Sequence, residues 1–283
     1  MSNARILYGK EHADALLAEI EPVARELAPT LTIVQVGDDA ASATYIGKKI
    51  DAAAKVGITA THLKLAEDVS LEKLLSTIDD LNNDSGITGY IIQLPVPDLL
   101  WNAFEKIAEA IDPAKDVDGF TARNFGNMAL RGGAEFLPPA TAAGVVHLLE
   151  REKIAIAGKH AVIVGRSNLV GKPLALMFLN RDATVTVCHS RTKNLGAITA
   201  TADILVSAVG KPGLITADMV RDGAVVVDIG TTHHNGKLTG DVDFESVSHK
   251  ASAITPVPGG VGPLTVACLL KNVVEAAAAG GGR

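Results

Sequence analysis

The sequence predicts an α/β protein of two domains, and three observations carry that prediction. Apolar strand-like runs alternate with helix-length segments along most of the chain, which is the pattern of βαβ units and parallel sheets. The runs of the second half, AVIVG, TVTVCHS, DILVSAVG and AVVVDIG, are continuously rich in Val and Ile, as strands covered on both faces are. Finally, 283 residues at about 150 per domain gives roughly two domains.

Each element follows in order. Residues 11–27 place Leu16, Leu17, Ile20, Val23 and Leu27 at helical spacing. Residues 31–37, LTIVQVG, read as a short apolar strand stopped by a glycine. Asp38 and Asp39 precede an Ala-rich helix that reaches about residue 56. A strand at 59–65, a helix near 71–81 and a strand at 89–93 complete the first half. The domain boundary is expected around 138–141, after a Gly-rich loop at 131–134. An apolar helix over about 264–278 closes the chain, and the terminal GGGR reads as a frayed tail.

Composition excludes several function classes. The net charge is 26 − 32 = −6, which opposes a general nucleic-acid binder while leaving room for a local basic pocket that takes a phosphorylated small molecule. With 47% hydrophobic residues the chain has ample material for a core. The longest charge-free stretch, 251–270, is interrupted by Pro256, Pro258, Pro263 and the glycines between them, so no membrane partner is expected. The N-terminus shows no signal-peptide pattern. Cys188 and Cys268 cannot build a disulfide framework or a zinc knuckle, and read as buried thiols of a reducing cytoplasm. No metal is expected. His233 and His234 lack an HxxxH partner and read as loop residues, and Asp112, Asp116 and Asp118 lack the twelve-residue calcium loop. Trp101 is expected to pack under the loop that follows QLPVP.

The segment KHAVIVGRSNLVGKPLALMFL sets a strand, a glycine turn and a helix in the order a dinucleotide site requires. Its spacing is not GxGxxG: Gly165 is followed by Arg166 and Ser167, and the next glycine is Gly171. A turn of this kind alone also fits a β–turn–α unit with no ligand. The next strand ends Val187-Cys188-His189-Ser190-Arg191, without the acid that binds a ribose 2′-hydroxyl. Ser190 and Arg191, with Arg166 on the neighbouring turn, suit a 2′-phosphate, which favours NADP over NAD.

Tyr45 and Lys49 are four apart on the second helix and share one face. A lysine so placed can orient a polar substrate atom, and burial can lower its pKa for proton transfer. An ordinary amphipathic helix with a solvated lysine carries the same spacing. Short-chain dehydrogenases place YxxxK after their cofactor loop; here the pair precedes it by some 120 residues, which argues against that class. Three more segments mix hydrophobes with Gln, Asp, Pro and Gly in ways no core pattern explains: GYIIQLPVP (89–97), KDVDGF (115–120) and PVPGGVGPLT (256–265).

Together with YIGKK, GRSNLVGKP and VDIGT, these segments resemble the bifunctional methylenetetrahydrofolate dehydrogenase/methenyltetrahydrofolate cyclohydrolase family, in order and over nearly the whole chain. The resemblance implies a folate-binding catalytic domain over 1–140 completed by the helix at 264–283, and a Rossmann-type NADP-binding domain over 141–263, with the active-site cleft between them. It makes Lys49 the main catalytic group beside Tyr45, with Gln93 holding the lysine, Leu94 and Pro95 following in the substrate site, and Asp118 hydrogen-bonding the pterin. Gly165, Arg166 and Ser167 match the cofactor turn, Ser190 the second-strand serine, and Thr231 a backbone contact near the nicotinamide. Pro256, Gly259 and Gly260 match a loop on one side of the cleft. A cytoplasmic homodimer joined through the cofactor domain is also implied.

The implied reaction is oxidation of 5,10-methylenetetrahydrofolate with NADP, then hydrolysis of the methenyl product to 10-formyltetrahydrofolate. Two rivals remain at this point: a dehydrogenase without the hydrolytic step, and a catalytically silent nucleotide-binding regulator. The chain departs from the family pattern at Pro139-Ala140-Thr141-Ala142, where Pro-Cys-Thr-Pro is common. It departs again at Asp51, in place of a basic residue, and a carboxylate there is expected to raise the pKa of Lys49.

Overall fold

A computed structural model of the chain describes residues 4–130, 136–234 and 237–280; the Gly-rich loop expected at 131–134 and the last three residues of the tail lie outside them. In chain order the first elements are β1 (Arg5–Ile6), α1 (Gly9–Leu27), β2 (Thr30–Val36), α2 (Ala40–Val56), β3 (Thr59–Leu65), α3 (Leu71–Asn83) and β4 (Gly89–Ile92). Then come α4 (Asp98–Trp101), α5 (Phe104–Ala110), α6 (Ala122–Ala129) and α7 (Ala140–Arg151). The second half runs β5 (His160–Val164), α8 (Gly171–Leu179), β6 (Thr184–Cys188), α9 (Leu195–Thr199), β7 (Ile204–Ser207) and β8 (Val225–Asp228). It ends with β9 (Thr232–His234), β10 (Lys237–Thr239), α10 (Phe244–Ser248), β11 (Ala253–Ile254) and α11 (Val261–Gly280).

The chain divides into two compact units. The unit formed by Ala15–Ala140 and Val266–Arg283 is built on a three-stranded parallel sheet in the order β3-β2-β4. Central β2 is buried along nearly its whole length, which is why its sequence is an apolar run, whereas edge strand β3 is mostly exposed. Val34, Val36, Tyr90 and Ile92 of the sheet pack with Leu74, Ile78 and Leu81 of α3 and Ile107 of α5. Helix α11 has the length and apolarity of a membrane span, yet half of its most apolar stretch is buried in the protein. There Asn272 donates to the carbonyls of Val117 and Pro138 at 2.8 Å each, tying the helix to the loops after β4.

The unit formed by Met1–Asp14 and Thr141–Thr265 carries a six-stranded, all-parallel sheet in the order β1-β11-β8-β7-β5-β6. The expected boundary placed residues 1–14 with the first-half strands; here Arg5 and Ile6 instead pair with Ala253 and Ile254 at the edge of this sheet. A two-residue strand has no readable period, so its partner cannot be inferred from pattern. Strand β6 lies on one side of β5 and β7 on the other, so the chain reverses direction across the sheet at β5. The His233–His234 pair, expected in a loop, lies in β9, which forms an antiparallel hairpin with β10.

Candidate active site

Helix α2 is fixed at both ends by its own sequence. The Asp39 carboxylate accepts the Ser42 N–H at 2.6 Å as N-cap, and Gly57, left-handed at φ 86°, closes the C-terminus. Ile46, Ala53 and Val56 face the core, which sets the rotation of the helix and leaves Tyr45 and Lys49 half-buried on its flank.

Strand β4 supplies the facing wall. The Gln93 N–H donates to the Val34 carbonyl at 2.8 Å, so the side chain just beyond β4 is still held in sheet register. Lys49 Nζ donates to Gln93 Oε1 at 2.9 Å, and Gln93 Nε2 donates to the Leu94 carbonyl at 2.7 Å. That second bond orients the amide so that its oxygen faces the ammonium. The Ser42 hydroxyl donates to the same Leu94 carbonyl at 3.3 Å. Pro95, which follows, is exposed.

The KDVDG segment divides its two acids. Asp116 is buried, and its carboxylate accepts the N–H groups of Gly119, Phe120 and Thr121 and the Asn124 amide, at 2.7–3.1 Å. Asp118 is half-buried, and its carboxylate accepts no hydrogen bond from the described residues. Burial pushes the Asp118 carboxyl up to about 6, against the pull of the Lys49 charge and with the help of Asp116. Burial likewise holds Lys49 below the ordinary lysine value, opposed by Asp118. The expected effect of Asp51 is corrected here: the carboxylate that raises Lys49 is Asp118, and exposed Asp51, two residues along the helix, faces another direction. Lys48 Nζ lies 5.4 Å from the centre of the Tyr45 ring, a cation–π contact. Trp101 does not pack under the QLPVP loop as expected; it is half-exposed and stacks on Phe104 at 5.4 Å.

A second constellation belongs to the unit with the six-stranded sheet. Gly165 ends β5 at φ +132°, and a Cβ there would come within 2.5 Å of the Ala208 carbonyl oxygen. Gly171 opens α8 so close to Gly165 that a Cβ would meet its carbonyl oxygen at 2.1 Å. Only glycines allow this turn to fold tightly at the strand end. The Ser167 hydroxyl accepts the Val170 N–H at 3.1 Å, Arg166 is exposed, and exposed Ser190 and Arg191 follow the adjacent strand β6. No carboxylate among the described residues pairs with Arg166 or Arg191. A glycine turn outside the carboxyl end of a strand where sheet order reverses is where α/β sheets hold dinucleotides, and the unpaired guanidiniums fit a phosphorylated one.

Thr231 is exposed and follows β8. Pro256, Gly259 and Gly260 belong to this unit, where Gly260 N–H donates to the Pro256 carbonyl and Gly9 N–H to the Gly259 carbonyl, both at 2.9 Å. Sequence reasoning missed two acids, Asp228 and Asp241, which lie buried behind the loops after β7 and β8. Their signal was present as acids set beside glycines in DIG and GDVD.

Comparison with known proteins bears on both constellations. Residues 7–118 match the catalytic-domain model of tetrahydrofolate dehydrogenase/cyclohydrolase, and residues 139–280 match its NAD(P)-binding-domain model. The chain is 47% identical over 276 residues to the bifunctional protein FolD of Lactobacillus helveticus, covering 96% of each. Among solved structures, the bifunctional FolD dehydrogenase/cyclohydrolase of Campylobacter jejuni is 42% identical with a TM-score of 0.93, covering 98% of this chain and 99% of that one. The Trypanosoma brucei FolD, solved with NADP and an inhibitor, is 34% identical with a TM-score of 0.94, covering 99% of both.

Proposed function

The chain belongs to the tetrahydrofolate dehydrogenase/cyclohydrolase family, and from that premise and its site geometry we infer that it oxidises 5,10-methylenetetrahydrofolate with NADP and hydrolyses the methenyl product to 10-formyltetrahydrofolate. The observation that carries this reading is the Lys49–Gln93 hydrogen bond, 2.9 Å long, in a half-buried wall that also presents the Asp118 carboxylate, which accepts no hydrogen bond from the described residues.

The unit built on β2–β4 is the folate-binding catalytic part, and the unit with the six-stranded sheet holds the cofactor. Asp118 offers the substrate a carboxyl whose lone pairs no described protein donor occupies, which suits the N–H groups of a pterin ring. Tyr45, Leu94 and Pro95 supply apolar surface beside it. Gly165 and Ser167 shape the phosphate-binding turn, while Arg166 and Ser190 receive the 2′-phosphate. Thr231 and the Pro256, Gly259 and Gly260 loop contribute backbone contacts. The bound dinucleotide supplies the hydride acceptor for the oxidation.

The methylene carbon lies between two nitrogens whose lone pairs stabilise the cation left by hydride loss, so the protein's task in this step is placement. The methenyl carbon is then open to water. Lys49, held below its ordinary pKa by burial, has a larger neutral fraction near neutrality than a solvated lysine and can accept a proton from the attacking water. Gln93 keeps the Nζ aimed while the proton moves. No metal is required. A dehydrogenase without the second step, or a silent regulator, would have no need of the half-buried, amide-held lysine.

Following the methenyl absorbance from methylenetetrahydrofolate with NADP or NAD tests the reading. Its rise and subsequent decay with NADP are expected; no turnover with either dinucleotide refutes it. A homodimer joined through the cofactor unit is supported by edge strand β6, whose outer edge has no strand partner among the described residues and whose Val187 is exposed. Sedimentation analysis checks it, a monomer refuting it. Two buried free thiols support a cytoplasmic location, which cell fractionation tests.

A further inference from the structure

We propose that Asp241 is a positioning residue of the dinucleotide site, holding by its carboxylate the loop that forms the wall opposite the Gly165 turn; the proposal rests on the cofactor assignment above. The sheet reverses order at β5, so a ligand crevice there has two lips, the turn after β5 and the loop after β7. The first lip is built from its own glycines. The second, residues 208–211, is stretched over the end of β7 and has no helix to hold it.

Asp241 holds it instead. Its Oδ2 accepts the Ser207 hydroxyl at 2.9 Å and the Val209 N–H at 2.8 Å, and its Oδ1 accepts the Lys211 N–H at 2.6 Å. Three donors from five consecutive residues thus converge on one fully buried carboxylate. The same loop presses its Ala208 carbonyl against Gly165, and the Thr232 hydroxyl donates to the Gly210 carbonyl at 3.0 Å, so its position is felt at the first lip and after β8.

Asp241 is itself anchored. Its N–H donates to Asp228 Oδ1 at 3.0 Å, and Asp228 also accepts the N–H groups of Gly230 and Val242 at 3.0 and 2.9 Å. The two acids share a reciprocal fit with glycines. A Cβ on Gly230 would lie 2.2 Å from an Asp241 oxygen, and a Cβ on Gly240 would lie 2.0 Å from an Asp228 oxygen. The carboxylates therefore occupy the space where a side chain at Gly230 or Gly240 would begin, and they convert the ends of β7 and β8 into one braced platform.

Asp241→Asn preserves shape but turns an NH2 group toward one set of N–H donors, releasing one end of the loop. Because hydrolysis of methenyltetrahydrofolate consumes no dinucleotide, the two activities separate positioning from general damage. NADPH affinity, read by fluorescence titration, is expected to fall about tenfold with KM for NADP rising in parallel, while cyclohydrolase activity and KM for folate change less than about twofold. Ser207→Ala, which removes one donor and leaves the carboxylate and both backbone bonds, is expected to weaken NADPH in the same direction by about threefold, and it decides the matter if Asp241→Asn does not fold. Unchanged NADPH affinity in a folded variant, or equal loss of both activities, overturns the proposal. Failure of the wild-type protein to bind NADPH overturns the cofactor assignment instead.

Discussion

Asp118→Asn should stabilise the protein while impairing it. Burial pushes the Asp118 carboxyl from an ordinary 3.8 to about 6, so at pH 7 the folded chain keeps it ionised at a cost the unfolded chain does not bear. The difference, about 2 pKa units at 1.36 kcal/mol each, is about 3 kcal/mol, which screening at the exposed side of a half-buried group trims to about 2 kcal/mol. The sign follows from proton counting. Between the unfolded value and about 6 the folded state binds more protons, so the penalty grows as pH rises through that window and is constant above it. An amide carries no such penalty. The variant should therefore melt roughly 4 °C above the wild type at pH 7, with the gap about halved at pH 5. Asp228, also raised to about 6, is present in both proteins and cancels in the comparison. Thermal melts at the two pH values read the gap, and methenyl absorbance reads the accompanying loss of folate affinity. A variant less stable than wild type at pH 7, or a gap independent of pH, refutes the account of Asp118 as a carboxylate kept desolvated for the substrate.

Three other expectations follow from the same geometry. Lys49→Ala should lower cyclohydrolase turnover by about 10²–10⁴-fold, the range of a general base, with NADPH affinity unchanged; full hydrolysis by this variant refutes the role given to the lysine. Gln93→Leu removes the acceptor that favours the charged ammonium, so the pH at which Lys49 becomes neutral should move down, and the limb of the cyclohydrolase pH profile on which activity rises with pH should move down with it; a shift upward or none contradicts the 2.9 Å contact as a tuning bond. Arg166→Ala should weaken NADP about tenfold more than NAD in paired KM measurements, since only NADP carries the 2′-phosphate, and equal losses refute that contact.

The fold class, the long strands and the Tyr45–Lys49 pair were legible because each rests on a local pattern. An Ala-rich stretch after Asp38 and Asp39 located α2, and one helical turn put Tyr45 and Lys49 on a common face. The pairing of Lys49 with Gln93, 44 residues away, is not local, and it was reached through resemblance to a family rather than through spacing. The same limit hid β1, whose two residues find their partners nearly 250 positions later. It also hid Asp241, whose three donors precede it by 30 to 34 residues across β8 and the β9–β10 hairpin. Asp51 misled because its distance from Lys49 along the chain is short while its direction on the helix is wrong. Trp101 misled because an aromatic residue is expected to be covered, whereas here its stacking on Phe104 leaves about half of it in solvent.

The buried acids show how satisfaction of hydrogen bonds separates structure from chemistry. Asp116, Asp228 and Asp241 are each more deeply buried than Asp118, and each has its oxygens occupied by backbone or side-chain donors. Such carboxylates are fixed in place: their lone pairs are used, and moving them would strand several N–H groups without partners. They can shape a loop but have nothing left to offer a ligand. Asp118 stands two residues from Asp116 on a turn that Asp116 holds in place, with its own lone pairs open to an incoming donor. Its burial is the cost that keeps it poised, and the charge of Asp116 adds to that cost. An acid fully bonded within the fold therefore reads as scaffold, and an acid partly desolvated without donors of its own reads as a binding group whose partner comes from outside the chain.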